Sequence, residues 1–272
     1  LSRIDDAVRG ILRVKIRSGL FEKGLPSKRK YANKNELLGA PAHKDIARQA
    51  VRESLVLLKN NNNILPLNTN LNVLVAGDGA ENMSKQTGGW TINWTGEGNQ
   101  KSDFPGGTSI YDGIKLAVEA GGGKSTLSPD GSFKVKPDVA IVVFGENPYA
   151  EWIGDIKSII YQQQSHRDAK LIESLQAQGI KVVSVFLSGR PLWVNREINA
   201  STAFIAAWLP GSEGIGIADV IFKNNKGNIK HDFKGKLSFS WPKLSSQVVL
   251  NRGDTNYDPL FPYGYGLTYK DK

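Results

Sequence analysis

The sequence predicts an α/β fold, an open and mostly parallel sheet with helices on both faces. Three observations carry the prediction. Asn72–Ala76, Val139–Phe144, Lys181–Leu187 and Ala203–Trp208 are short, almost continuously apolar runs, the pattern of strands covered on both sides. Helical stretches lie between them, and strand–helix alternation is how a parallel sheet covers its two faces. The first two runs close on glycine, Gly77 and Gly145, and such sheets place their sites in loops at the carboxyl ends of the strands. The chain has no internal repeat.

Taken in order, residues 3–18 form an amphipathic helix, with Ile4, Val8, Ile11 and Leu12 on one face. Ser2 with Asp5 resembles a capping box, and Gly19 supplies the stop. An apolar stripe on the first element calls for an upstream partner, so the chain reads as a piece of a longer polypeptide. Residues 22–42, rich in Lys, Gly, Pro and Asn, form a linker, and the main domain runs over 43–272. Residues 43–53 are helical, and Ser54–Leu58 is an apolar segment running into Asn60–Asn63. A helix spans Ser165–Gln178, with Ser165 as cap, Asp168 three residues on and Gly179 as stop. Another runs from about Ser212 to Phe222. Gly121–Ser125 is a turn and not a phosphate loop, because Val118 stands where the Walker pattern needs glycine and the stretch follows a helix. Gly77-Asp-Gly79 lacks the third glycine of a dinucleotide fingerprint, where Asn82 stands.

Composition narrows the function. With 40% hydrophobic and 22% charged residues over 272 positions, the chain is globular and not disordered. It has no cysteine, which excludes disulfides, thiolate metal sites and cysteine nucleophiles. His43, His166 and His231 lie far apart in sequence and read as ordinary surface or capping residues, so neither a metal centre nor a Ser-His-Asp triad is expected. The net charge of +9 is concentrated: residues 1–60 hold 14 basic against 6 acidic residues, the rest 21 against 20. No recognition motif accompanies it, so nucleic acid is not expected as a partner. No apolar run reaches the 18 or more residues of a spanning helix.

Two strand-end loops carry chemistry. Gly88-Gly-Trp-Thr-Ile-Asn-Trp-Thr-Gly96 brackets Trp90 and Trp94 with glycines. Indole faces stack on the C–H faces of sugars and their N–H groups bind hydroxyls; the alternative is that both rings plug the core beneath. Gly145-Glu-Asn-Pro-Tyr-Ala-Glu-Trp-Ile-Gly-Asp155 places Glu146, Glu151 and Asp155 just beyond a buried strand. A carboxyl group among apolar rings, here those of Tyr149 and Trp152, holds its proton to higher pH and serves as a general acid. The alternative is a polar loop whose carboxylates cap turns or pair with lysines.

GGWTINWTG, GENPYAEWIGD, SGRPLWVN, AAWLPGSEGIGIADVIF and YDPLFPYGYGLTY, in this order, resemble the second, C-terminal domain of glycoside hydrolase family 3, most of all its exo-β-glucanase and β-glucosidase branch. RIDDAVRGILRVKIRSGLF resembles the segment leaving that family's first domain, and ARQAVRESLVLLKN the start of its second. The resemblance implies a six-stranded α/β/α sandwich, with 1–42 as a terminal helix and linker from an upstream (β/α)8-type barrel absent from this chain. It implies retaining hydrolysis of β-glucosides or β-glucan oligosaccharides in a site between the domains, with a barrel aspartate as nucleophile and no metal or organic cofactor. By motif position Glu151 matches the acid/base, Glu146 matches the other glutamate and takes no part in proton transfer, Trp94 matches the tryptophan clamping the sugar beyond the scissile bond, and Trp90 supports it. Without the nucleophile this chain alone is expected to be inactive. The family points to a periplasmic or secreted protein. A non-catalytic carbohydrate-binding or cleft-shaping domain is the alternative.

Overall fold

The computed structural model describes residues 1–271, which fall into two compact units, Leu1–His43 and the chain from Lys44 onward. In the first, helix α1 (Ser2–Arg17) buries none of its residues, and Ile4, Val8, Ile11 and Leu12 are 40–63% exposed. The capping box expected at Ser2 does not form. The helix begins one residue earlier than the pattern suggests, with Leu1 as N-cap, so Ser2 already lies inside the first turn. Gly19 does end it, at φ +62° with its N–H on the Ile16 carbonyl, a left-handed turn that glycine makes without strain. Residues 22–42 hold two short 3₁₀ turns, Pro26–Lys28 and Asn35–Leu37. Helix α2 (Pro41–Ser54) follows, its proline placed where a helix start needs no N–H.

The second unit is built on six strands: β1 (Val56–Asn60), β2 (Asn72–Ala76), β3 (Lys124–Leu127), β4 (Val139–Gly145), β5 (Lys181–Leu187) and β6 (Ala203–Trp208). Helices α3 (Met83–Thr87), α4 (Ile110–Ala120), α5 (Arg167–Ala177), α6 (Asn195–Ala200) and α7 (Ile215–Ile221) connect them. The sheet order is β1-β6-β5-β4-β2-β3, and every pair is parallel except β1 with β6. All seven residues of β4 are buried, and alternation divides them between two cores. Val139, Ile141 and Val143 pack with residues of α4 and α7 on one face. Ala140, Val142 and Phe144 pack with residues of α5 and α6 and with Trp241 on the other. This is the expected open sandwich.

Three local expectations are corrected. The turn read at Gly121–Ser125 is shorter, because Lys124 already opens edge strand β3. Ser165 does not cap α5: His166 does, in the left-handed region at φ +45°, without a side-chain bond. Asp168 is drawn inward instead, accepting from Tyr161 Oη at 2.6 Å and Gln162 Nε2 at 2.8 Å. The last helix is shorter than Ser212–Phe222, since Pro210–Gly214 forms a turn before it.

The topology places the site. From β2 the chain moves outward to β3, crosses back over β2 to β4, then proceeds through β5 to β6 in the opposite direction. The order therefore reverses between β2 and β4, and open α/β sheets form their crevice at the carboxyl ends of the strands flanking such a reversal.

Candidate functional site

The loops after β2 and β4 are the two that the sequence singles out. The first is shaped by backbone conformations that side chains seldom adopt: Gly88 at φ +81°, Trp90 at +57° and Ile92 at +63°. For a β-branched residue such as Ile92 this is strained. Side-chain amides hold the loop in that shape. Buried Asn99 donates through Nδ2 to the carbonyls of Thr91 (2.9 Å) and Gly96 (3.2 Å), and Asn93 Oδ1 accepts from Gly96 N–H at 2.7 Å. Trp90 N–H donates to the Trp94 carbonyl at 3.0 Å, closing the loop. Beneath it, Lys85 of α3 is 5% exposed. Its ammonium donates to the Gly145 carbonyl at 2.7 Å and pairs with Asp78 at 3.1 Å, tying α3 to the end of β4.

The second loop treats its two glutamates differently. Glu146 is half-buried and fully engaged. Arg190, just after β5, grips it with Nη2 at 2.7 Å and Nε at 3.0 Å from Oε1, while Ser188 Oγ donates to Oε2 at 2.6 Å. Glu151 is exposed and sits at φ +39° at the start of the short turn Glu151–Gly154. Among the described residues its hydrogen-bond partner is Trp94, whose Nε1 donates to Oε2. Tyr149 lies under the Arg190 guanidinium, 4.3 Å from its ring centre, and burial, with the Glu146 charge second, pushes its hydroxyl up from the ordinary tyrosine value.

Of the predicted site residues, Glu151 and Trp94 are thus in contact. Trp94 is half-buried and Trp90 is 69% exposed, so neither ring is a core plug. Asp155 is exposed and joins no cluster. Trp152, one of the two rings the sequence places around the loop carboxyl groups, is 69% exposed and lies with its ring centre 5.1 Å from that of Trp94, extending the aromatic surface beside Glu151. The participant that the sequence does not signal is Arg190, because its partners lie in another loop. A cavity of about 230 Å³ separates the loops, lined by Trp90, Tyr149, Glu146, Ser188 and Leu209 among others. A larger hollow of about 650 Å³ opens beside it over the ends of β2 and β4, lined by Asp78, Lys85, Asn99 and Asn147. The arrangement offers one free carboxylate beside aromatic faces, a combination suited to proton transfer at a ligand with both hydroxyls and C–H faces. Among the described residues, no three of His, Cys, Asp and Glu gather as a metal site, and no helix is long and apolar enough to cross a membrane.

Residues 55–269 match the model of the glycosyl hydrolase family 3 C-terminal domain. The chain is 32% identical to the lysosomal beta glucosidase of Dictyostelium discoideum, covering 98% of this chain and 34% of that protein. It is 29% identical to the periplasmic beta-glucosidase of Salmonella typhimurium, covering 99% of this chain and 40% of the relative. It superposes on the crystal structure of an exo-1,3/1,4-beta-glucanase from a Pseudoalteromonas species with a TM-score of 0.96 at 56% identity, covering 99% of this chain and 34% of that one.

Proposed function

The chain belongs to glycosyl hydrolase family 3, as its C-terminal domain, and we propose that in the whole protein it supplies the general acid/base and a tryptophan clamp for retaining, exo-acting hydrolysis of β-glucosidic bonds. The substrates are β-glucosides or β-glucan oligosaccharides. Residues 1–42 lead in from an upstream barrel that carries the nucleophile. Relatives of which this chain spans 34% and 40% leave room for such a domain. The observation that carries the reading is the divergent fate of the two glutamates. Glu146 is neutralised by Arg190, while Glu151 stands exposed against the Trp94 indole.

Retaining hydrolysis needs two carboxyl groups about 5–5.5 Å apart, one attacking the anomeric carbon and one protonating the departing oxygen. Glu151 takes the second role: it gives its proton to the leaving oxygen, then as carboxylate removes one from the water that releases the sugar. Trp94 packs against the leaving sugar and holds the Glu151 carboxylate in position. Trp90 supports it from the loop rim. The chemistry needs no metal or organic cofactor. A periplasmic or secreted location agrees with the name of the Salmonella relative.

Glu151→Gln in the full-length protein tests this. kcat/KM on cellobiose, whose leaving group needs protonation, falls by about 10²–10⁴-fold, the usual range for general acid catalysis. On 2,4-dinitrophenyl β-glucoside it changes little, because that leaving group departs unprotonated. Azide added to Glu151→Ala restores turnover and yields β-glucosyl azide. Undiminished cellobiose hydrolysis by Glu151→Gln overturns the reading. The high exposure of Trp90 and Trp152 supports a second reading, sugar binding without catalysis. It predicts oligosaccharide binding by the isolated chain together with full activity of the Glu151 variants.

A further inference from the structure

We infer that Arg190 is the positioning residue of the acid loop, a latch that fixes where the Glu151 carboxylate is presented. The inference rests on the acid/base reading of Glu151 and concerns a residue that never touches substrate in that reading. Arg190 meets the acid loop at three residues, two through its donor fork and one through its plane. Nη2 and Nε hold Glu146 at the end of β4 at 2.7 and 3.0 Å. Nη1 donates to the Gly154 carbonyl, the last residue of the Glu151 turn, at 2.5 Å. The guanidinium plane covers the Tyr149 ring at 4.3 Å. Arg190 is itself fixed by its own loop, since Ser188 Oγ accepts from the Arg190 N–H at 3.1 Å and donates to Glu146 Oε2.

The turn needs such a latch. Glu151 occupies the left-handed region at φ +39°, which is unfavourable for a residue with a Cβ and persists only where the surroundings impose it. Beyond the turn's own backbone bonds, Ile153 N–H to the Ala150 carbonyl and Asp155 N–H to the Trp152 carbonyl, two side-chain contacts fix it: the Trp94 indole at the carboxylate and Arg190 at the far end of the turn. Only a planar, five-donor guanidinium reaches a carboxylate with two nitrogens while a third serves a carbonyl. A lysine ammonium meets Glu146 or Gly154, not both in this geometry. With the latch removed, the turn relaxes and Glu151 leaves the leaving oxygen. A misplacement of about 1 Å costs about 100-fold in rate.

The test uses the full-length protein with Arg190→Met and Arg190→Lys, beside Glu151→Gln. Both Arg190 variants lower kcat/KM on cellobiose by about 100-fold and leave 2,4-dinitrophenyl β-glucoside within about 3-fold. Added guanidinium ion recovers part of the cellobiose activity of Arg190→Met. A merely structural arginine would lower both substrates alike. Should Arg190→Met not fold, Arg190→Lys, which keeps the charge, gives the same reading. Equal losses on both substrates, or no loss on cellobiose, overturns the latch. If Glu151→Gln shows the split between substrates and the Arg190 variants do not, the latch alone fails. If Glu151→Gln shows no split, the acid/base reading fails with it.

Discussion

Gly154 shows how little slack the site has at the scale of a single residue. A Cβ built there lies 2.5 Å from Tyr149 Cδ2, and the ring cannot retreat because the Arg190 guanidinium covers it. Gly154→Ala is therefore expected to push the Glu151 turn outward. Cellobiose hydrolysis by the full-length protein falls at least tenfold, about 1.4 kcal/mol in the barrier, while a dinitrophenyl glucoside is spared. An unchanged rate on cellobiose would show that the ring yields. A second residue acts on stability. Glu197 in α6 is 2% exposed, and burial, reinforced by Asp168 and Glu173, pushes its carboxyl up to about 7 from an ordinary 4.5. The folded state thus keeps a proton that the unfolded chain has lost between those two values. The Glu197 contribution is complete below pH 4.5 and is lost as pH rises toward 7, by about 3 kcal/mol in total. Glu197→Gln removes that dependence, so urea unfolding should find the variant gaining on the wild type between about pH 5 and pH 8. A constant difference across that range would refute the assignment.

At the scale of elements, the tryptophan loop is held against its own backbone preference. Trp90 and Ile92 sit at positive φ, and the bonds from Asn99 to the carbonyls of Thr91 and Gly96 keep them there. Asn99→Ala frees two carbonyls and is expected to lower stability by about 1–3 kcal/mol. Amide exchange over residues 88–96 should quicken more than exchange in β4; equal protection in both would mean that the strained loop is held by something else. The same scale explains what the sequence discloses. β2, β4, β5 and β6 are legible because burial on both faces leaves an apolar run. Edge strand β3 is not, because Lys-Ser-Thr-Leu alternates between exposed and half-buried positions. β1 follows α2 with one residue between, so the sequence shows only an apolar segment there, Ser54–Leu58, with no break to mark it as a strand. The two site loops are legible by residue type, but their meeting is not. Trp94 and Glu151 are 57 residues apart, and only the reversal of strand order between β2 and β4 brings their loops together. The engagement of Glu146 is hidden in the same way, since its partner comes from the loop after β5.

At the scale of the molecule, the question is what this chain does by itself. Retaining chemistry requires a nucleophilic carboxylate on the opposite side of the sugar from the acid. Glu146 is withdrawn from that role by Arg190 and Ser188, which leaves Glu151 as the free carboxylate beside the tryptophans. A single carboxylate and an aromatic platform bind and protonate, but they do not form the glycosyl intermediate. Residues 1–272 alone are therefore expected to give no turnover of cellobiose or of 2,4-dinitrophenyl β-glucoside above buffer. The dinitrophenyl substrate is the sharper probe, because it needs no acid and reports only on the nucleophile. Turnover of it by the isolated chain, abolished in Glu151→Gln, would place the nucleophile within these residues and undo the division of labour proposed here. Oligosaccharide binding by the isolated chain, lost in Trp94→Ala, would instead show the platform working without its catalytic partner. The exposed rings of Trp90 and Trp152 beside half-buried Trp94 are the physical ground for expecting that result.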